Sequence, residues 1–294
     1  MTDDTALLVS LNNNPLWLPQ EYIQKKIRQI LCAALVITVL HLVLLKVFSV
    51  LLANRSASRA KTTEKTERES VASEKEKSII LWKASYQATN LLVNLFIGCF
   101  GIYHVYNLPS VADVTEKVVG LEEYAIFGCL QAGYQLWALL VGFFFVEETT
   151  IMMFHHIAVI VVSSRAIFCT NGFRYYIPFF LGLIEISSVP LSIMNAFKND
   201  KSLIQKYPGA YSNIRIAFGL SFLAARVIMW LPRIMDFNRI IAIMISTSEE
   251  ISSQAALGAT FAAATVLTLM QQYWAFLVIR GLLSGPKKAP VKNE

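Results

Sequence analysis

Seven apolar runs, each about 20 residues or longer, divide this chain, and nothing else in it limits the possible folds so strongly. A bilayer core about 30 Å thick takes about 20 residues of helix at ~1.5 Å rise each. On that ruler the predicted spans are 27–53, 81–106, 123–146, 149–168, 175–196, 211–231 and 254–282. In hydrocarbon every backbone polar group must be satisfied within the segment, so spans of this composition are helical. A further apolar run at 237–245 is too short to span and reads as an interfacial or buried half-helix. The expectation is an all-α polytopic membrane protein with about seven transmembrane helices.

Composition agrees. Of the 294 residues 55% are hydrophobic and 16% charged, and the mean hydropathy is +0.51, outside the range of soluble domains. The formal charge of +6 requires no nucleic-acid partner, because the basic residues gather in a few loops and at the C-terminus, where they suit an anionic leaflet. Cys32, Cys99, Cys129 and Cys169 sit in or beside different apolar runs without a C-x-x-C pair. They read as small buried hydrophobes, not as a zinc site or disulfide framework. The first apolar run is longer than a signal-peptide core, so no cleavable signal is expected.

The expected organisation is an N-terminal tail at 1–26, a first helix at 27–53, a charged linker at 54–78, a six-helix membrane domain at 79–283 and a basic tail at 284–294. The linker is dense in Lys, Arg, Glu and Ser, and is expected to be solvated and partly helical or disordered. With seven spans the linker, the 147–150 turn, the 197–210 loop and the C-terminal tail share one side, which carries most of the basic residues. The positive-inside rule makes that side cytosolic, against a local opposing group of Lys25, Lys26 and Arg28. Trp17, Tyr22, Trp82 and Trp230 lie near predicted span ends and suit an aromatic belt.

The chemistry-bearing residues are inside the spans. His155 and His156 stand about two turns into MMFHHIAVIVV, roughly 10 Å below the basic face. Glu185 in the next span lies ~16 Å deep, and Gln271 and Gln272 about 12–17 Å deep. Asn90, Asn94, Tyr134 and Gln135 fall near the same level. Intramembrane ionisable groups are expensive and usually face a bundle interior or wet cavity. Imidazoles at this depth are able to act as base or nucleophile, with Glu185 orienting one of them. Neighbouring helix positions point ~100° apart, so the two rings do not converge on one ion, and no metal is expected. The competing reading is interhelical hydrogen bonding worth ~0.6–2 kcal/mol per residue. Toward the opposite face lie His104, Arg165 and Arg226, the arginines placed to snorkel outward. His41, alone in the first span, reads as a packed, hydrogen-bonded histidine.

Five segments in order resemble the TLC-domain proteins, a family that includes ceramide synthases, translocating-chain-associated membrane proteins and several smaller lipid-linked proteins. They are GYQLW at 133–137, HHIAVI at 155–160, LGLIEISSVPL at 181–191, AFGLSFLAARVIMWLP at 217–232 and MQQYWAFLVIRGL at 270–282. The resemblance covers about 79–283 and implies a six-helix bundle with one additional N-terminal helix. It places the family's histidine pair on His155 and His156, its acidic position on Glu185 and its arginine on Arg226. Ceramide synthases carry aspartates around the helix-five motif, where this chain has IEISS, and Ala138 stands where many relatives place another aspartate. These departures point to the smaller branch, linked to membrane lipid composition.

The resemblance implies acyl transfer from acyl-CoA as co-substrate, without a resident cofactor. His155, His156 and Glu185 would be catalytic, with Asn94, Tyr134, Gln271 and Arg226 lining the substrate cavity. The alternative is a non-catalytic lipid-binding protein that regulates membrane lipid homeostasis. Membrane lipids are the expected partners, and the endoplasmic reticulum or a related endomembrane the expected location, with a cytosolic C-terminus. The sequence assigns no oligomeric state.

Overall fold

The computed structural model describes residues 17–59, 67–109 and 114–284. Eleven α-helices run through these residues: α1 (Gln20–Arg59), α2 (Glu67–Tyr106), α3 (Val114–Val118), α4 (Ala125–Val141), α5 (Thr150–Phe168), α6 (Ile177–Phe180), α7 (Ser188–Asn199), α8 (Lys201–Lys206), α9 (Pro208–Leu223), α10 (Trp230–Thr247) and α11 (Ile251–Leu283). Helical stretches long and apolar enough to cross a membrane number seven, at Gln20–Ala53, Ser78–Tyr106, Val114–Val146, Thr150–Phe168, Arg174–Asn199, Pro208–Thr247 and Ile251–Leu283. The protein is an integral, multi-pass, all-α membrane protein. Among the described residues the one extended pairing is the isolated bridge between Trp17 and Cys169.

Several boundaries differ from the sequence expectation, each for a local reason. Helix α1 starts at Gln20, directly after Pro19, because a proline suits the edge of a helix and the polar QEYIQKK turn extends the helix past the apolar run. Helices α1 and α2 also continue into the charged 54–78 segment, to Arg59 and from Glu67, while 60–66 and the tail beyond 284 lie outside the described residues. The 237–245 run is no separate half-helix. It continues α10, and Phe237, Ile240, Ile241 and Met244 are buried in the main apolar core. Trp230 is not an interfacial anchor, since it is buried with its indole N–H donating to Thr268 at 3.2 Å. Cys129 and Cys169 are buried as expected, but Cys32 and Cys99 face outward.

The fifth span is the irregular one. After α6 the chain leaves the α-helix at Leu181 and Gly182, forms a 3-10 turn over Leu183–Ser187, and resumes as α7. Bare backbone in a membrane is tolerated where it is buried in protein, and here α2 supplies the cover with two glycines. A Cβ on Gly101 would lie 2.1 Å from the Leu183 nitrogen, and one on Gly98 would lie 2.8 Å from the Ile186 nitrogen. The two backbones therefore touch. Helix α1 docks on α4 in a similar way, since a Cβ on Gly133 would lie 2.8 Å from the Ile30 carbonyl oxygen.

Outside the central cavity the polar residues mostly serve packing. His41 sits against Thr89 at 3.2 Å and between the rings of Trp82 and Trp137. His104 is caged by Phe100, Tyr103, Tyr124 and Phe127. Lys117 and Tyr176 both bond to Asp236, at 3.0 and 2.6 Å, which ties α3 and the start of the fifth span to α10.

Gly101→Ala is expected to cost about 3 kcal/mol or more, the upper range for overpacking, because backbone must move to admit the methyl group. Gly258→Ala, with nothing within 4 Å of its new Cβ, is expected to leave stability unchanged or raise it. Thermal unfolding of both variants in one mild detergent checks the contrast.

Candidate functional site

A cavity of about 540 Å³ opens inside the bundle. Its walls come from α2, α4, α5, α7, α9, α11 and the irregular stretches before α7 and after α9, and include Asn94, Tyr134, His155, His156, Glu185 and Arg226. Six of the seven residues singled out from the sequence therefore share one cavity. Gln271 does not line it. It lines a second, much smaller and almost wholly apolar pocket of about 30 Å³, which shares His155 and Glu185 with the first. The cavity runs toward the face that carries the 147–149 turn and the end of α11, since Glu148, Thr149, Gly281 and Leu282 also line it.

An ion pair between Glu185 and Arg226 is buried in the cavity wall. The Arg226 guanidinium lies 3.1 Å from Glu185 Oε2, and both side chains are less than a tenth exposed. Arg226 also donates to Ser187 Oγ at 2.8 Å and Ser188 Oγ at 3.0 Å, while Ser188 donates to Glu185 at 2.8 Å. Two backbone irregularities bring the charges together. Glu185 lies on the 3-10 turn of the fifth span, and Arg226 lies in a π-helical bulge at Ala224–Ile228. Such bulges re-aim side chains and are frequent at functional sites. Arg226 therefore does not snorkel outward, because a buried carboxylate and two hydroxyls satisfy it inside. Arg165 does not either. It is buried at the end of α5 and bonds to Asn171 and to Cys169 Sγ.

Glu185 does not touch the histidines directly, contrary to the orienting contact expected from the sequence. Two glutamines connect them. Gln131 Nε2 donates to Glu185 Oε1 at 3.2 Å, Gln135 Nε2 donates to Gln131 Oε1 at 3.0 Å, and Gln135 Oε1 meets His156 Nδ1. A carboxylate only accepts, so each amide in turn must present its NH₂ toward Glu185 and its oxygen toward the histidine. The last acceptor in the row faces His156 Nδ1, so that nitrogen carries the proton. The basic lone pair of neutral His156 then lies on Nε2, which is buried and has no hydrogen-bond partner. His155 packs edge-on against Trp274 with ring centroids 5.5 Å apart, and its Nδ1 is likewise without a partner.

Between α2 and α4 Asn94 donates to the Tyr134 hydroxyl, which donates to Asn90 Oδ1, both at 3.1 Å. Tyr86 donates to Glu148 Oε2 at 2.5 Å. Asn90 and Gln135 thus both bond between helices and line the cavity. Among the described residues no group of three His, Cys, Asp or Glu side chains is arranged to hold a metal ion.

Gln131, Ser187 and Ser188 were not assigned to the site from sequence. Gln131 and Gln135 stand four apart in a long apolar helix, a spacing that puts both on one face, and that was the available signal. The two serines follow Glu185 directly, but only the 3-10 turn brings them to Arg226.

The TLC-domain family model matches residues 83–280, the second to the seventh span. This chain belongs to the TLC-domain family. No curated protein and no solved structure matches it.

Two predictions follow from the charges of the cavity. Arg226→Met leaves Glu185 buried without its cation and is expected to cost about 3–5 kcal/mol. Adding Glu185→Gln is expected to recover part of that loss in a double-mutant thermal-unfolding cycle. Glu148 lies in the turn between spans, where burial raises its pKa above the ordinary 4.5 and the Tyr86 hydrogen bond partly offsets that rise. Its folded form holds a proton that the unfolded chain has already released, so stability is expected to fall as pH climbs from about 4.5 through the raised value. Glu148→Gln should flatten that part of the profile of thermal midpoint against pH.

Proposed function

We propose that the protein is a lipid-modifying acyltransferase of the membrane interior, with His156 as its base. One observation carries this reading, namely a buried, unpartnered Nε2 on a histidine whose Nδ1 proton is held by the row of amides from Glu185. That arrangement is what a general base or nucleophile needs, a bare lone pair beside a cavity and an opposite nitrogen fixed by its neighbour.

In the proposed step an acyl thioester places its carbonyl beside His156. The acceptor's N–H or O–H gives its proton to Nε2 as the acceptor atom bonds to the carbonyl carbon. The carbon–sulfur bond then breaks, and the leaving thiolate takes that proton from the imidazolium. His155, against Trp274, would bound the acyl chain where the larger cavity meets the smaller apolar pocket. Arg226 would keep Glu185 ionised as a pure acceptor, and so hold the amide row in the order that leaves Nε2 of His156 free to take the proton. We assign the face with the 147–149 turn to the cytosol of an endomembrane, on the basic residues of the 197–210 loop and C-terminal tail, so that acyl-CoA approaches from that side. The departures from the ceramide-synthase pattern at Ile184, Ser187, Ser188 and Ala138 favour an acceptor other than a sphingoid base.

The reading is tested with protein reconstituted in liposomes and supplied with acyl-CoA and a panel of amine- and hydroxyl-bearing lipids. The parent is expected to form an acylated product. His156→Ala is expected to lower the rate about 10²–10⁴-fold, the usual contribution of a positioned base, and Gln135→Leu to lower it less. Absence of product with every acceptor, together with lipid that co-purifies equally with parent and His156→Ala, would make the protein a non-catalytic lipid binder.

A further inference from the structure

The mouth of the cavity carries two cations that the chemistry at His156 does not use. Lys198 lies in the last turn of α7 and Arg215 two turns into α9, and both line the cavity. The two helices are held together here by the rings of Phe197 and Tyr211, 5.9 Å apart, and Arg215 stands over the Tyr211 ring at 5.9 Å. Arg215 also donates to the Gly281 carbonyl at 2.9 Å, which fixes its position against α11. Among the described residues neither cation makes an ion pair.

The carboxylates of the cavity leave them unneutralised. Glu185 is taken by Arg226 in the interior, and Glu148 is capped by the Tyr86 hydroxyl. Burial also holds Glu148 toward its neutral form. Two like charges on adjoining helices at a cavity mouth repel each other, and an anion between them relieves that repulsion. The spacing along α11 relates them to the reactive end. Trp274 packs on His155 and Gly281 holds Arg215, so seven residues, or ~10 Å of helix, separate the two levels. The lining there is mixed, with Ser192 and Asn195 beside Leu191 and Met194 on α7, and Phe218, Leu277 and Val278 on α9 and α11.

We propose that Lys198 and Arg215 form a phosphate-binding subsite at the cavity mouth, which holds the phosphate of an amphiphile whose chain runs inward past the histidines. The proposal deepens the acyl-transfer reading by naming the anionic end of the ligand and rests on that reading for the ligand's class. It is tested by binding and not by turnover. The phosphate has two possible sources, the coenzyme A end of an acyl donor or the headgroup of a phospholipid.

The full chain in mild detergent is titrated with palmitoyl-coenzyme A, palmitoyl lysophosphatidic acid and phosphate-free monopalmitoylglycerol, and bound ligand is read by native mass spectrometry. Lys198→Glu and Arg215→Gln are expected to weaken the phosphate-bearing probes at least tenfold, about 1.4 kcal/mol, and to leave monopalmitoylglycerol unchanged. Lys198→Arg is expected to retain binding, and added salt to weaken it in the parent. A loss confined to the coenzyme A probe would identify the acyl donor as the source. A loss confined to lysophosphatidic acid would identify a lipid headgroup, and a loss with both would mean that the subsite accepts either. Equal affinity in parent and Lys198→Glu, an equal drop for monopalmitoylglycerol, or no binding of either phosphate probe by the parent would overturn the proposal. The His155→Ala/His156→Ala protein should still bind both phosphate probes, so a failed acyltransferase assay leaves this result standing.

Discussion

The ion pair between Glu185 and Arg226 is the constraint around which the interior is arranged. Two charges inside a bilayer-spanning bundle are tolerated only when each is paired and its remaining hydrogen-bonding capacity is filled. Ser187, Ser188 and Gln131 fill it. To aim the carboxylate the fifth span gives up its α-helix for a 3-10 turn, and to aim the guanidinium the sixth span takes an extra residue in a π-bulge. The exposed backbone of the turn then requires glycine on α2, because no side chain fits between the two chains at Gly98 and Gly101. Polar chemistry at the centre thus dictates residue size at the helix interface beside it.

From this pair the carboxylate sets a hydrogen-bond direction that carries to His156. Glutamines at 131 and 135 have no charge to shift, yet their oxygens and NH₂ groups can be satisfied in only one order once the carboxylate sets the direction. The order specifies which nitrogen of His156 is protonated. Direct carboxylate contact would strongly stabilise the imidazolium, whereas a row of neutral amides fixes the tautomer with a weaker pull on the proton.

Much of this was legible in the sequence. Apolar runs of membrane-spanning length specify helices because hydrocarbon permits little else, so the number and order of spans follow from hydropathy alone. Depth along a helix is nearly as legible, since a fixed rise per residue puts His155, His156, Glu185, Asn94 and Tyr134 at comparable levels. Direction around the helix axis is where the reading failed. Gln271 has the right depth but turns into the smaller pocket. On a regular helix Arg226 lies near enough to the opposite face to snorkel, yet a π-bulge and a buried acid decide its course. Depth alone pairs Glu185 with a histidine, and nothing in that reading places Gln131 and Gln135 in a row between them. A 3-10 turn and a bulge leave little trace in composition, beyond a glycine at 182 and serines after Glu185.

Helix α1 lies outside the residues that match the family, yet it bears on the same chemistry. It presses its backbone onto α4 at Gly133, about half a turn from Gln131 and Gln135 on that helix. Helix α4 is therefore gripped on one side by α1 and read on the other by the histidine. One residue of rotation is ~100°, enough to swing both amides away from Glu185 and His156 together. The N-terminal helix acts as a bearing that sets the angle of α4, and through it the angular register of the amide row.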